Sequence, residues 1–253
     1  MATVLTYLNE SLNEDLSAVK IVLYSLPVCF CSDLFIKGEM GALYFWATLF
    51  GIIFLGVLTK AINNVRTNKT EILTLNPLRL LVSIALSLIC VIPQILIFGG
   101  IGLLLVKFIP LPVEIPHFQL IFNIVIWSIA ASIVLTSYLS FAKYLNPLEA
   151  FNYKVVFSSC IDILISVIFF VPQIILMNLV LIGPALVLCS QFGISYTHWA
   201  LVFYYSIIFV VNISVLANYF AQSSFEHIKE SNRYYDENIK LNDVIDDIAE
   251  RLQ

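Results

Sequence analysis

ILISVIFFVPQIILMNLVLIGPALVLCSQFGISYT, residues 163–197, runs for 35 residues without a charged side chain. About 20 helical residues cross a bilayer core of about 30 Å. The stretch is therefore long enough to span a membrane. It is too long for one straight spanning helix, which would reach about 52 Å at 1.5 Å per residue. Gly183-Pro184 is the predicted stop within it.

Four further uncharged runs, 41–59, 80–106, 118–142 and 199–224, repeat this signature. The 80–106 run would extend to about 40 Å, and Gly99, Gly100 and Gly102 mark its predicted end or break. In both long runs the segment beyond the glycines is expected to turn, lie in the outer interface or re-enter between helices. A sixth span, 16–36, is interrupted by Lys20 and Asp33, with the lysine expected to snorkel to the membrane edge. The sequence thus predicts an all-α, polytopic transmembrane helix bundle of six spans.

Composition agrees. Hydrophobic residues make up 60% of the 253 and charged ones only 12%, against about 25% charged in soluble domains. The net charge of −4 argues against nucleic-acid binding. Cys29, Cys31, Cys90, Cys160 and Cys189 form no CxxC pair and lie in or beside apolar runs, where cysteine behaves as a small hydrophobe. The first fifteen residues carry Glu10, Glu14 and Asp15 and no Lys or Arg, the reverse of a basic secretory n-region.

Basic residues set the expected orientation. With six spans, Lys20, Lys60, Arg66, Lys69, Arg79, Lys143, Lys154, Lys229, Arg233, Lys240 and Arg251 fall on one side, and only Lys37 and Lys107 on the other. The positive side is cytoplasmic, which predicts a multi-pass protein of the cell (inner) membrane with both termini in the cytoplasm. The sequons at Asn9 and Asn68 would then face the cytosol.

An internal repeat is also legible. Leu75-Asn76-Pro77-Leu78 recurs as Leu145-Asn146-Pro147-Leu148, and Pro93-Gln94-Ile95 as Pro172-Gln173-Ile174. In each LNPL the asparagine is suited to cap a helix whose first position is proline. Ser11-Leu12-Asn13-Glu14 reads as a capping box for the first span, which has its own proline at Pro27. The pattern predicts three pseudo-repeated Pro-kinked hairpins, at about 12–65, 76–143 and 146–225. The third carries about nine extra residues between cap and proline, expected to form an interfacial helix over 147–158. A membrane domain over 1–228 would precede a tail, 229–253.

Asn-Pro-Leu-Glu-Ala-Phe-Asn-Tyr (146–153), Val-Ile-Pro-Gln (91–94), Ile182-Gly183-Pro184 and Asn218-Tyr219-Phe220-Ala221-Gln222 resemble segments of a broadly distributed prokaryotic membrane family. That family is known as a domain of unknown function, numbered four thousand and thirteen. The resemblance covers roughly residues 15–228 and implies a six-helix architecture with no established activity. This chain departs from the pattern in having few glycines in its inner loops.

Few positions invite chemistry. Asp162 has two readings: a carboxylate inside a span, which would suit a proton or cation, or a residue left at the membrane edge by the extra segment before it. Asn123, Asn178, Asn212, Gln94 and Gln173 are polar residues within spans. They could line a substrate path, or bond across helices and cover carbonyls freed by proline. The two Pro-Gln pairs are the better candidates for a symmetric internal site, since broken helices at equivalent repeat positions mark transporter sites. Glu114, His117 and His198 could share the outer face, but their spacing is not that of a metal site. Nucleophile elbow, HExxH, P-loop and paired-acid motifs are missing, so the sequence predicts no enzyme, cofactor or metal.

The tail is polar, with Leu241, Val244, Ile245, Ile248 and Leu252 at helical spacing, predicting a narrow apolar stripe on an acidic amphipathic helix. Asp243, Asp246, Asp247 and Glu250 would be repelled by anionic lipid, so the stripe suits a cytosolic protein partner, self-association, or packing on the chain's own inner loops. Two functional expectations result. One is a non-enzymatic membrane scaffold or accessory subunit, with a homo-oligomer among its partners; the other is a small permease or lipid-handling protein with its site between the Pro-Gln helices. A wet cavity reaching Gln94 and Gln173 would favour the second, and tight packing there the first.

Overall fold

The computed structural model describes residues 4–14, 16–67, 72–109 and 118–223. Every regular element among them is helical: α1 (Val4–Leu12), α2 (Ser17–Ile36), α3 (Met40–Arg66), α4 (Pro77–Gln94), a π-helical turn (Ile95–Gly99), α5 (Gly100–Phe108), α6 (Phe118–Tyr144), α7 (Pro147–Ala150), α8 (Tyr153–Phe192) and α9 (Trp199–Ser223). Six helical stretches are long and apolar enough to cross a membrane: 17–36, 40–66, 77–108, 118–143, 153–192 and 199–221. The six predicted spans are therefore present. The predicted C-terminal amphipathic helix lies outside the described residues, as do Glu114 and His117.

Local chemistry explains the helix starts. Asn76 accepts the Leu78 and Arg79 amides at 3.0 and 3.2 Å, opening α4 at Pro77. Asn146 accepts the Leu148 amide at 3.1 Å, opening α7 at Pro147. The predicted helix over 147–158 is instead this single turn, because α8 has already begun at Tyr153. The expected capping box is also absent. Ser11 bonds back to the Tyr7 carbonyl inside α1, and α2 begins after Leu16, held in the left-handed conformation without a side-chain cap.

Neither long apolar run breaks where its glycines predicted. α8 continues through Pro172, Gly183 and Pro184 for 40 residues, about 60 Å. A proline costs a helix one backbone bond and crowds a carbonyl one turn earlier, here those of Ile168 and Val180, and in each case a polar side chain bonds the next carbonyl along. Gln173 donates to the Phe169 carbonyl at 3.2 Å, and Tyr204 of α9 donates to the Leu181 carbonyl at 2.7 Å. After Pro93 the chain answers differently, widening into the π turn before resuming as α5 at Gly100. Gly99 and Gly100 thus sit inside a helical path.

The chain forms two compact units. In the first, Met1–Ile84 with Val167–Ser223, α9 is the most enclosed span and α1, α2 and α3 pack against it. Its buried Val210, Val211, Val215 and Ala217 supply a compact surface, and Phe54 of α3 meets Phe209 edge-on at 5.9 Å. Burial is concentrated toward the α1 end. Thr59, Lys60, Ala61, Ile62, Asn63 and Asn64 are all enclosed, whereas most of α3 before Phe54 is exposed or half-exposed. α3 also meets the start of α4 closely. Ser83 donates to the Gly56 carbonyl at 3.0 Å, and a Cβ at Gly56 would overlap the Ile84 side chain and lie 3.2 Å from its backbone.

In the second unit, which among the described residues covers 85–109 and 118–166, the π turn and α5 lie along α6. Gly102 stands beside Trp127, and Phe98 packs edge-on against Tyr153 and Phe157 of α8 at 5.9 and 6.2 Å. The last turns of α6, from Thr136 to Lys143, are buried on every side.

Small residues let membrane helices approach closely, so the Gly56 crossing is a sensitive point. Gly56→Leu is expected to lower stability in detergent by about 1–3 kcal/mol, the usual cost of overpacking. Gly51→Leu, on the same helix but facing open space, should leave thermal unfolding unchanged.

Candidate functional site

The polar residues singled out within the spans fall into three distinct settings. Asn178 and Asn212 meet as a reciprocal amide pair joining α8 to α9, with bonds of 3.1 and 2.8 Å, and Asn178 also donates to the Ile174 carbonyl. Each carboxamide thereby finds both a donor and an acceptor. Interhelical bonds of this kind contribute about 0.6 to 2 kcal/mol in membranes. The pair holds helices together and opens no path.

Gln94 and Gln173 fall in different units and occupy unlike surroundings. Gln94, 1% exposed, donates to the Ala150 carbonyl at 2.9 Å, and its oxygen is buried without a bond among the described residues. Gln173 is exposed on the surface of α8. The chain leaves Pro93 through a π turn but passes Pro172 as regular α-helix, so the two repeats do not present their glutamines alike. Asn123 of α6 is half-buried, with its carboxamide oxygen enclosed and unbonded among the described residues.

Asp162 is half-buried in α8, nine residues after Tyr153. The uncharged stretch beyond it, to Phe192, is about 45 Å long and alone exceeds a core of about 30 Å. That length leaves Asp162 room at the membrane edge. His198 is exposed just before α9 and accepts the Ala200 amide at 3.4 Å. The tail residues Leu241, Val244, Ile245, Ile248 and Leu252 lie outside the described residues.

Two features of the first unit have no counterpart in the sequence pattern. At the α1 end, Lys20 is 4% exposed and its ammonium meets the Glu14 carboxylate at 2.5 Å; it does not snorkel. Glu14 also accepts the Leu73 amide, at 3.1 and 3.3 Å to its two oxygens. Asn218 of α9 donates to Glu10 at 2.7 Å, and Tyr7 meets Tyr219 edge-on, so α1 is fastened to the last span. A hint was present in the opposite charges of Glu14 and Lys20. Leu73, 59 residues from Glu14, is beyond any local pattern.

At the other end of this unit, a cavity of about 470 Å³ is lined by Val28, Cys31, Phe35, Leu43, Val202 and Tyr205, among others. Its polar groups are already engaged or shielded. Ser32 donates to the Val28 carbonyl, Thr197 bonds Ser195, and the Tyr205 hydroxyl is enclosed. The volume is within the usual range for a small ligand, and the lining is mostly apolar, with the enclosed Tyr205 hydroxyl unbonded among the described residues. No three His, Cys, Asp or Glu side chains among the described residues are grouped to hold a metal ion.

No family model matches the chain, and no curated protein or solved structure shows significant similarity to it.

Burial pushes the Glu14 carboxyl above its ordinary value, with Lys20 and the Leu73 and Ile72 backbone only partly offsetting it. Burial likewise raises Glu149, against Asn152 and Lys143. The folded state thus holds both protons more tightly than the unfolded one. Their contribution to stability falls as pH rises from the ordinary carboxyl value through the raised ones. Measured against wild type, the melting temperature of Glu149→Gln should be relatively higher at about pH 7.5 than at about pH 5. A difference independent of pH would contradict this assignment.

Proposed function

We propose that the protein is a non-enzymatic membrane scaffold or accessory subunit, which meets a partner within the bilayer through the exposed face of α8. Gln173 carries this reading. Its carboxamide spends one N–H on the Phe169 carbonyl. The other N–H and the oxygen have no partner among the described residues, on a helix face otherwise formed by the exposed Phe169, Leu176 and Val180. Hydrocarbon offers nothing to bond, and moving an amide from water to such a medium costs about 4–8 kcal/mol. A polar group from another protein removes that cost; a lipid chain does not.

The positive-inside pattern supports both termini being in the cytoplasm of a cell (inner) membrane protein, where the acidic tail would offer its stripe to a cytosolic partner. Resemblance to the prokaryotic six-helix family is compatible with this role. The Asn178–Asn212 pair supports it too, since the polar groups of the spans serve there to join helices. Gln173→Leu should weaken the association by about 3- to 30-fold, the equivalent of the 0.6–2 kcal/mol of an interhelical bond. Native electrophoresis in mild detergent reads this as a shift to a smaller species. A wild type that migrates at the mass of one chain overturns the proposal.

One observation favours the second reading, a small permease. In the unit containing residues 85–166, the Gln94 oxygen and the Ser137 and Ser159 hydroxyls are buried without bonds among the described residues, and a polar solute or water would satisfy them. On this reading, vesicles containing the protein swell faster in small polyols than empty ones, and Gln94→Leu abolishes the difference. Equal swelling of wild-type and empty vesicles overturns it.

A further inference from the structure

We infer that α8 pairs in parallel with α8 of a second copy of this chain, along the seam Phe169, Gln173, Leu176, Val180, Gly183 and Val187, with the two Gln173 side chains bonded to each other. The inference rests on Gln173 being a partner contact and names that partner. Successive seam residues are separated by 4, 3, 4, 3 and 4 positions, the alternation that keeps one face of a helix against a supercoiling neighbour. All are exposed apart from Gly183, which is half-exposed and would meet nothing within 4 Å if it bore a Cβ. A glycine within an open seam lets a second backbone come near. From Phe169 to Val187 the seam measures about 27 Å, close to the full hydrocarbon thickness.

The carboxamide decides what lies against the seam. Each Gln173 has one N–H and one oxygen to satisfy, and a carboxamide is its own complement. On a two-fold axis along the membrane normal, the same residue recurs at the same depth. Each N–H can then meet the other copy's oxygen, leaving neither side in deficit. Asn178 and Asn212 already make this exchange within one chain. An antiparallel pairing centred on the seam would set Gln173 against Gly183, which has no side chain to answer it. Copies inserted with one topology also present α8 in one direction, so the parallel arrangement is the available one.

The test places a photoreactive phenylalanine analogue at Val180, in the seam, in the full chain within cell membranes, with two differently tagged copies co-expressed. Ile175 is the control site: it is exposed, but lies about 200° around the helix from Gln173. Illumination should join the two tagged copies into a product of twice the chain's mass from Val180 and not from Ile175. Adding Gln173→Leu should reduce that product by about 3- to 30-fold, and Gln173→Asn, which keeps a shorter carboxamide, should reduce it less. Crosslinking to a protein of another mass overturns self-pairing and leaves the accessory-subunit reading intact. Adducts with lipid alone overturn both. A doubled product unchanged by Gln173→Leu overturns the role given to the amide.

Discussion

Inside a bilayer, no solvent completes a hydrogen bond that the protein leaves open, and much of this structure reflects that shortage. α8 stays helical through two prolines, with polar side chains bonding carbonyls nearby: Gln173 that of Phe169, and Tyr204 that of Leu181. The chain after Pro93 stays helical in another way, by widening for five residues. Asn178 and Asn212 close on each other. Where these groups are satisfied within the chain they build it, and one of them, Gln173, is left facing outward.

Five of the six spans were legible because segregation of charge is a coarse and strong signal. Uncharged runs of 19 to 35 residues admit few other interpretations. The LNPL starts were legible too, since a cap bonds amides only two or three residues away. Glycine-based breaks were misread because glycine permits a break without requiring one. In lipid the cost of freeing backbone groups outweighs the weak helix propensity of glycine, so Gly99, Gly100 and Gly183 stay helical.

The polar positions were found as a set but not sorted by role. Sequence marks Gln94 and Gln173 identically, each after a proline in a repeated motif. Which one turns inward depends on how the helix leaves the proline, and that is settled by tertiary packing. The same holds for Lys20. Its position near the end of a span suggested a side chain reaching for water, whereas Glu14 and the Leu73 amide form an enclosed alternative. Ion pairs supported from a distant loop leave no periodic trace.

The length of α8 has a consequence of its own. Its uncharged portion exceeds an average bilayer core by about 15 Å, a positive hydrophobic mismatch. Tilting, or stretching the surrounding lipid, absorbs such an excess at a cost of fractions of a kcal/mol per Å. That cost diminishes as the membrane thickens. A helix of this length is therefore accommodated at lower cost in thick membrane than in thin.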